Sequence, residues 1–210
     1  MKLSFTYMGS RLSLLLAVVV LHAQIIEFES GGLKYRTLTR GGVTIMWAHL
    51  PMHIKEYAVL QVAISNGSPV SWQVKPQDFK FEKSEGGSMT ALPAATVVQQ
   101  LMDRAGRGDV IKLITAYESA LTGNTRVHST NGYEERRQDA QAALGGGKFR
   151  AAAAASAIAF VATKLLPGQS TDGAIFYPNN GKPLGAGKLI VNAAGEMFEF
   201  PVDLEARTHP

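Results

Sequence analysis

The stretch Glu56-Tyr-Ala-Val-Leu-Gln-Val-Ala-Ile-Ser65 decides the fold of this chain. Most of its positions are apolar and several are β-branched, which favours a strand over a helix. Successive side chains of a strand point to opposite faces of a sheet. One face would therefore carry Tyr57, Val59, Gln61 and Ala63, and the other would carry Ala58, Leu60, Val62 and Ile64. We predict a strand that is buried on at least one face.

The sequence on both sides of this strand also has β character. A Gly41-Gly42 step separates two alternating segments, and a two-residue glycine link is typical of a hairpin. Two short segments around Pro76 predict a further strand pair. The predicted strands beyond Glu56–Ser65 are Leu33–Arg40, Val43–Ala48, Val70–Val74, Asp78–Glu82, Ala174–Tyr177, Lys188–Asn192 and Glu196–Pro201. The last two predict a closing hairpin.

The chain between these two β zones, about residues 92–164, predicts helix. Pro93 suits a helix start, and Val97, Val98, Leu101 and Met102 form one apolar stripe. We expect Val97, Leu101, Ile114 and Tyr117 to dock on the strands. Strands at both ends of a chain must pair or leave edges exposed, so the economical arrangement is α+β. It is an antiparallel β-sandwich with a helical insertion between strands and with its first and last strands together.

Residues 1–23 predict a cleavable secretory signal. Lys2 and Arg11 are the only charged residues there, an apolar core follows at residues 12–21, and Ala23 is a small residue at the expected cut. The alternative is an uncleaved anchor, but the core has about half the ~20 apolar residues that span a bilayer. We expect residues 24–210 to form one extracytoplasmic domain, periplasmic or secreted, with no transmembrane segment after cleavage.

Composition excludes several classes of function. The chain has no cysteine, which removes disulfides, thiol catalysis and every Cys-based zinc or iron–sulfur site. The formal net charge is +4, and loss of Lys2 and Arg11 with the signal would lower it to +2. Because the sequence shows neither a run of like charge nor a basic–aromatic stripe, we expect no nucleic-acid partner.

Two sets of residues resemble those of a known group of domains. The first is Tyr57 to Val70, with its Asn66-Gly-Ser68 step, followed by Asp78-Phe79; the second pairs Leu165-Leu-Pro-Gly168 with Gly173-Ala-Ile-Phe176. The pattern resembles bacterial extracytoplasmic immunoglobulin-like domains, which are exported or membrane-tethered sandwiches, and it covers roughly residues 54–82 and 160–201. The resemblance implies an immunoglobulin-like sandwich outside the cytoplasm and carries no catalytic residues. The long helical insertion departs from the pattern.

The sharpest cluster of candidate ligands is Met46, His49, Met52 and His53. Thioethers and imidazoles are ligands that select soft, reduced copper, and Trp47 lies among them. The alternative interpretation is structural: Met46 and Trp47 end a strand and pack, whereas the two histidines lie on a loop around Pro51. A copper site formed by these four residues is therefore one hypothesis for this segment.

No convergent catalytic set is visible in the sequence. A serine hydrolase needs a base beside its nucleophile, and His128 stands in a polar stretch without a Gly-x-Ser-x-Gly motif. We therefore expect a non-enzymatic interaction or accessory module of the cell envelope, with a protein partner and no cofactor. A periplasmic small-ligand or copper-binding protein is the first alternative, and a hydrolase on the same scaffold is the second.

Overall fold

The computed structural model describes residues 24–50, 56–104, 156–180 and 182–203, and these residues form eleven strands and helix α1. The strands are β1 (Ile26–Ser30), β2 (Leu33–Arg40), β3 (Val43–His49), β4 (Tyr57–Asn66), β5 (Trp72–Val74), β6 (Phe79–Lys83), β7 (Ser88–Thr90), β8 (Thr163–Leu165), β9 (Ser170–Pro178), β10 (Gly187–Ala193) and β11 (Glu196–Val202). Helix α1 spans Ala94–Arg104, and a 3-10 turn spans Pro76–Asp78.

The strands form three antiparallel sheets. One has five strands in the order β1-β2-β3-β4-β9, one has four in the order β11-β10-β6-β7, and β5 pairs with β8 as a ribbon. The β2–β3 hairpin turns at Gly41-Gly42, where both glycines have positive φ, as the sequence predicts. The closing hairpin is also confirmed as β10–β11. The chain is therefore mostly antiparallel β structure.

The two larger sheets face each other across the main hydrophobic core. Inward side chains of the five-stranded sheet include Ile45, Trp47 and Leu60, and those of the four-stranded sheet include Phe81 and Phe200, all buried. Burial of a side chain of this size contributes about 1.5–3 kcal/mol. This packing is that of a β-sandwich.

The five-stranded sheet is buried on its outer face as well. A second core cluster there contains Val59, Ala63 and Phe176 of the sheet, together with Val97 of α1 and Ile158. Both predicted side-chain sets of β4 are therefore buried, not one alone. Docking of Val97 is confirmed, whereas Ile114 and Tyr117 and the side chain of Leu101 lie outside the described part of the chain.

The segment that precedes helix α1 and the segment that returns from the insertion contact neighbouring points on β9. The Leu92 amide donates to the Phe176 carbonyl at 2.9 Å, and the Phe160 amide donates to the Ala174 carbonyl at 2.8 Å. These acceptors are two residues apart, which is about 7 Å along a strand. Both ends of the predicted insertion are thus fixed to one strand edge.

Two features of the pairing differ from the sequence-based expectation. Strand β5 pairs with β8, which lies in the zone predicted to be helical, and not with β6. β6 instead pairs with β10 and β7. The 3-10 turn that starts at Pro76 separates β5 from β6, so the two short strands join different sheets. Helix prediction up to residue 164 was wrong at its end, because Thr163–Leu165 is a strand.

The first strand predicted from the sequence, Leu33–Arg40 (β2), lies next to the last, β11, but the two strands belong to different sheets and do not pair. Two arginines of β2 join the sheets instead. Arg36 Nη1 donates to the Pro201 carbonyl at 2.8 Å, and Arg40 Nη1 donates to the Met197 carbonyl at 2.5 Å. Each guanidinium also lies over the ring of a core aromatic residue, at 5.6 Å and 6.0 Å. These contacts occupy edge carbonyls that would otherwise accept another strand.

The predicted signal, residues 1–23, lies outside the described residues. A cut after Ala23 would leave every described element whole, because β1 begins at Ile26. Within the described ranges, no helix combines the length and hydropathy needed to cross a membrane.

Candidate functional site

Strand β3 places the predicted copper ligands on different faces of the five-stranded sheet. Met46 is buried in the outer cluster beneath the helical chain. His49 lies three residues later, on the side of Trp47, and its ring meets the Trp47 ring edge-on at 5.3 Å between centroids. Because side chains alternate along a strand, Met46 and His49 diverge. An ion held by His49 would need its other ligands from elsewhere than Met46.

The other two predicted ligands, Met52 and His53, lie outside the described residues. Among those described, no group of three or more His, Cys, Asp and Glu side chains is placed to hold a metal ion. The four-residue copper site therefore stays a prediction. His128 also lies outside the described chain.

His49 and Trp47 line a small cleft at one end of the sandwich. The Arg36 guanidinium lies 5.6 Å from the Trp47 ring centroid and forms a 2.7 Å ion pair with Glu27. The cleft is lined by Glu27, Lys34, Tyr35, Arg36, Trp47, His49, Val202 and Asp203. Its two acidic and two basic residues balance, so the cleft has no strong preference for either sign of charge.

The size of this cleft limits what it can hold. Its volume is about 30 Å³. A water molecule needs roughly 10–15 Å³ on this measure, and sites for organic ligands are on the order of 300 Å³ or larger. The cleft therefore accepts water or a single ion and not an organic ligand.

A buried polar cluster lies on the outer face of the five-stranded sheet. The Tyr35 hydroxyl donates to Gln61 Oε1 at 3.0 Å, and both residues are almost fully buried. Strand register explains the contact: Ala48 stands between them, opposite both Tyr35 and Gln61, and its small side chain lets the tyrosine reach across β3. Asp172, 2% exposed, lies diagonally next to Gln61 on β9.

This environment changes the acidity of the Tyr35 phenol. Burial, and secondarily the negative charge of Asp172, raises the pKa of Tyr35 to about 12. The phenol is therefore protonated at neutral pH and acts as a hydrogen-bond donor to Gln61. This hydrogen bond joins β2 to β4 across the intervening strand β3.

The raised pKa of Tyr35 predicts a loss of stability in alkali. In the unfolded chain the phenol ionises near its ordinary pKa of about 10. Its contribution to stability is thus fully present below pH 10 and is lost as the pH rises towards about 12. We expect the free energy of unfolding to fall by about 2 kcal/mol over this range. Denaturant unfolding at a series of pH values measures it.

The Tyr35→Phe variant is the control for this prediction. In the ultraviolet titration, the variant should lose one phenol that ionises at high pH. The Tyr177 phenol should remain, because burial raises the pKa of that group as well. The free energy of unfolding of the variant should fall less steeply above pH 10. At neutral pH the loss of the hydrogen bond to Gln61 should cost about 1 kcal/mol. An unchanged titration in the variant would contradict the assignment.

Asn66, at the end of β4, is the centre of a second buried polar network. Its side chain is inaccessible to solvent. Nδ2 donates to the carbonyls of Val70 at 2.8 Å and Leu165 at 3.2 Å, and Oδ1 accepts from the Ser68 amide at 3.0 Å and hydroxyl at 2.6 Å. The amide is satisfied at both ends, so Asn66 fixes the loops at this end of the sandwich. The Asn66-Gly-Ser68 step belongs to the resemblance described above, which did not predict this network.

Comparison with protein families, curated proteins and solved structures finds no match to this chain.

Proposed function

We propose that this chain is an exported, non-enzymatic interaction module of the cell envelope, built as an immunoglobulin-like β-sandwich that carries a long insertion. The observation that carries the proposal is the attachment of Leu92 and Phe160 to the neighbouring carbonyls Phe176 and Ala174 of β9. An insertion whose ends meet at one edge of a finished scaffold can hold binding residues without changing the scaffold. Insertions of this kind commonly carry function.

The described polar groups support a scaffold role for the sandwich. The Asn66 and Gln61 side chains are each bonded within the protein, and the cleft at His49 has a volume of about 30 Å³. A carrier of organic ligands needs roughly ten times that space. The cleft at His49 is therefore too small to be the site of an organic ligand.

The test removes residues 105–155 and replaces them with a flexible Gly/Ser linker. The variant keeps α1 and Ile158, because Val97 and Ile158 cover the outer face of the five-stranded sheet. Photo-crosslinking residues are placed within residues 105–155 and, as a matched control, at exposed Glu85 in the β6–β7 turn. We expect one partner to be captured from the insertion positions in the native envelope, and not from Glu85.

The shortened variant should fold, as circular dichroism and a cooperative unfolding transition would show. It should fail to compete with the full chain for the captured partner. Equal capture from Glu85, or full competition by the shortened variant, would overturn the assignment of the interaction to the insertion. Sequencing of the exported protein tests the compartment, with Gln24 expected at its amino terminus.

A further inference from the structure

The step Asn66-Gly67, at the end of β4, carries a chemically reactive amide. Asparagine is a thermolabile residue, and it reacts most readily before glycine, which has no side chain to obstruct the reaction. The Gly67 nitrogen, after losing its proton, attacks Asn66 Cγ. The N–Cγ bond forms, the Cγ–Nδ2 bond breaks, and Nδ2 leaves as ammonia after taking up the proton. Water then opens the succinimide ring at either carbonyl, which yields aspartate or isoaspartate.

The fold opposes each stage of this reaction. The Gly67 amide donates to the Gly42 carbonyl at 2.8 Å, so its nitrogen keeps its proton. The leaving nitrogen, Asn66 Nδ2, is held by the carbonyls of Val70 and Leu165. Because the Asn66 side chain has no accessible surface, solvent cannot reach it to protonate the leaving nitrogen or to hydrolyse the ring. The reaction therefore requires that these contacts be broken.

Release of Asn66 requires the separation of several elements. Its main-chain amide donates to the Gln169 carbonyl at 2.9 Å, and its carbonyl accepts from the Gly168 amide at 2.6 Å, both in the loop between β8 and β9. Asn66 is also paired with Val43 in the β3–β4 ladder. Opening of one loop would free only part of the residue. We therefore expect Asn66 to be released in the cooperative unfolding of the sandwich and not in a small local opening.

The same contacts require this labile pair of residues. A Cβ atom at Gly67 would lie 2.8 Å from the Gly42 oxygen, so only glycine fits there. At residue 66, aspartate would have no donor for the carbonyls of Val70 and Leu165. Isoaspartate would lengthen the main chain by one atom at the point where β4 ends. Neither product can rebuild the network that Asn66 forms.

We propose that Asn66 is a modification site that the fold keeps unreactive: it converts to aspartate or isoaspartate in the unfolded chain and not in the folded protein. Because the products cannot rebuild the Asn66 network, each period of unfolding makes part of the protein unable to return to its native structure. Chemical modification of the unfolded chain is one cause of irreversible unfolding. The inference goes beyond the proposed function, because it concerns the sandwich alone.

The first test compares the full chain in mildly alkaline buffer with the same chain in urea above its unfolding midpoint. Peptide mass mapping follows Asn66 and, as the matched control, Asn180, which also precedes a glycine and is exposed. In urea the two residues should react at similar rates. In buffer the rate at Asn66 should be lower by about a thousandfold or more, as the small unfolded fraction of a native protein requires. Asn180 should continue to react.

Two results of this test would overturn the proposal. If Asn66 reacted as fast in the folded protein as in urea, or faster, its bonds from Ser68 to Oδ1 would activate the amide and the fold would not protect it. If the rate at Asn180 fell as much as the rate at Asn66, folding in general would protect the chain, and the contacts of Asn66 would not be the cause.

The second test changes the unfolded fraction without changing Asn66. A Cβ atom at Gly173 would lie 2.7 Å from Phe160 Cα, whereas one at Gly195 has nothing within 4 Å. Since the rate follows the population of the unfolded chain, Gly173→Ala should raise the rate at Asn66 in buffer by about a hundredfold, and Gly195→Ala by about fivefold. A Gly173→Ala chain that does not fold should react at the rate measured in urea. An unchanged rate in both variants would overturn the link to cooperative unfolding.

The third test asks what the modification does to refolding. The chain is held in urea until part of Asn66 and Asn180 has reacted, and it is then refolded by dilution. Size-exclusion chromatography separates native from non-native chains, and each fraction is mapped. The products at Asn66 should be concentrated in the non-native fraction, and those at Asn180 should divide equally. Equal division of both would overturn the proposed effect on the fold. Failure of the insertion experiment leaves these results unaffected.

Discussion

Replacing Asn66 with Asp is expected to lower the free energy of unfolding by about 4 kcal/mol at neutral pH. The change exchanges a buried NH2 group for an oxygen that faces the carbonyls of Val70 and Leu165. Two hydrogen bonds become repulsions, and a carboxylate is placed where no solvent reaches it. Urea unfolding of the two proteins measures the difference.

The pH dependence of Asn66→Asp distinguishes this cause from a loss of packing. The two facing carbonyls favour the protonated carboxyl group, so its pKa in the folded protein should lie above the unfolded value of about 3.9. The loss of unfolding free energy in the variant should be smallest below pH 4, and it should grow as the pH rises through the pKa of the new carboxyl group in the folded protein. A loss of unfolding free energy that does not depend on pH would contradict the electrostatic cause.

Asn179→Asp is the matched control. The Asn179 Nδ2 atom also donates to two carbonyls, those of Lys182 at 2.9 Å and Pro183 at 2.7 Å, but its side chain is partly exposed. Its Oδ1 accepts from Lys83 Nζ at 3.2 Å, a cation that would partly neutralise a new carboxylate. We expect a loss of about 1 kcal/mol. Equal losses at the two sites would show that burial of Asn66 is not the cause.

Replacing Gly173 with Ala is expected to cost about 3 kcal/mol of unfolding free energy. A Cβ atom there would lie 2.7 Å from Phe160 Cα and 2.8 Å from Phe160 N. To relieve the clash, the returning chain must move off β9, which breaks the bond between the Phe160 amide and the Ala174 carbonyl. It also disturbs the edge-on packing of Phe160 on Phe79 at 5.6 Å. Thermal and urea unfolding measure the loss.

Gly195→Ala is the control, because Gly195 has a φ of +78° and nothing within 4 Å of an added Cβ. Its cost should be backbone strain of about 1 kcal/mol. Phe160→Ala should not rescue Gly173→Ala, since the clash is with main-chain atoms. If the Gly173→Ala variant were as stable as the unchanged chain, the segment at Phe160 would not need to lie against β9 for the protein to be stable.

Part of the candidate site was readable from the sequence. Period-two alternation already places Met46 and His49 on opposite faces of β3, although the residue types suggested one cluster. Val97 was expected to dock and does so. The Tyr35–Gln61 contact was not predictable, because it depends on Ala48 standing between them in a register that only strand pairing sets.

The sequence by itself determined where most strands lie and how the hairpins at Gly41-Gly42 and at Gly195 turn. Those features depend on residue type and on contacts between neighbours in the chain, such as the turn at Gly41-Gly42. The tertiary structure alone decided that β5 pairs with β8, that both faces of β4 are buried, and that Leu92 and Phe160 meet on β9. These contacts join residues far apart in sequence, and local propensity does not specify which distant strand completes a sheet.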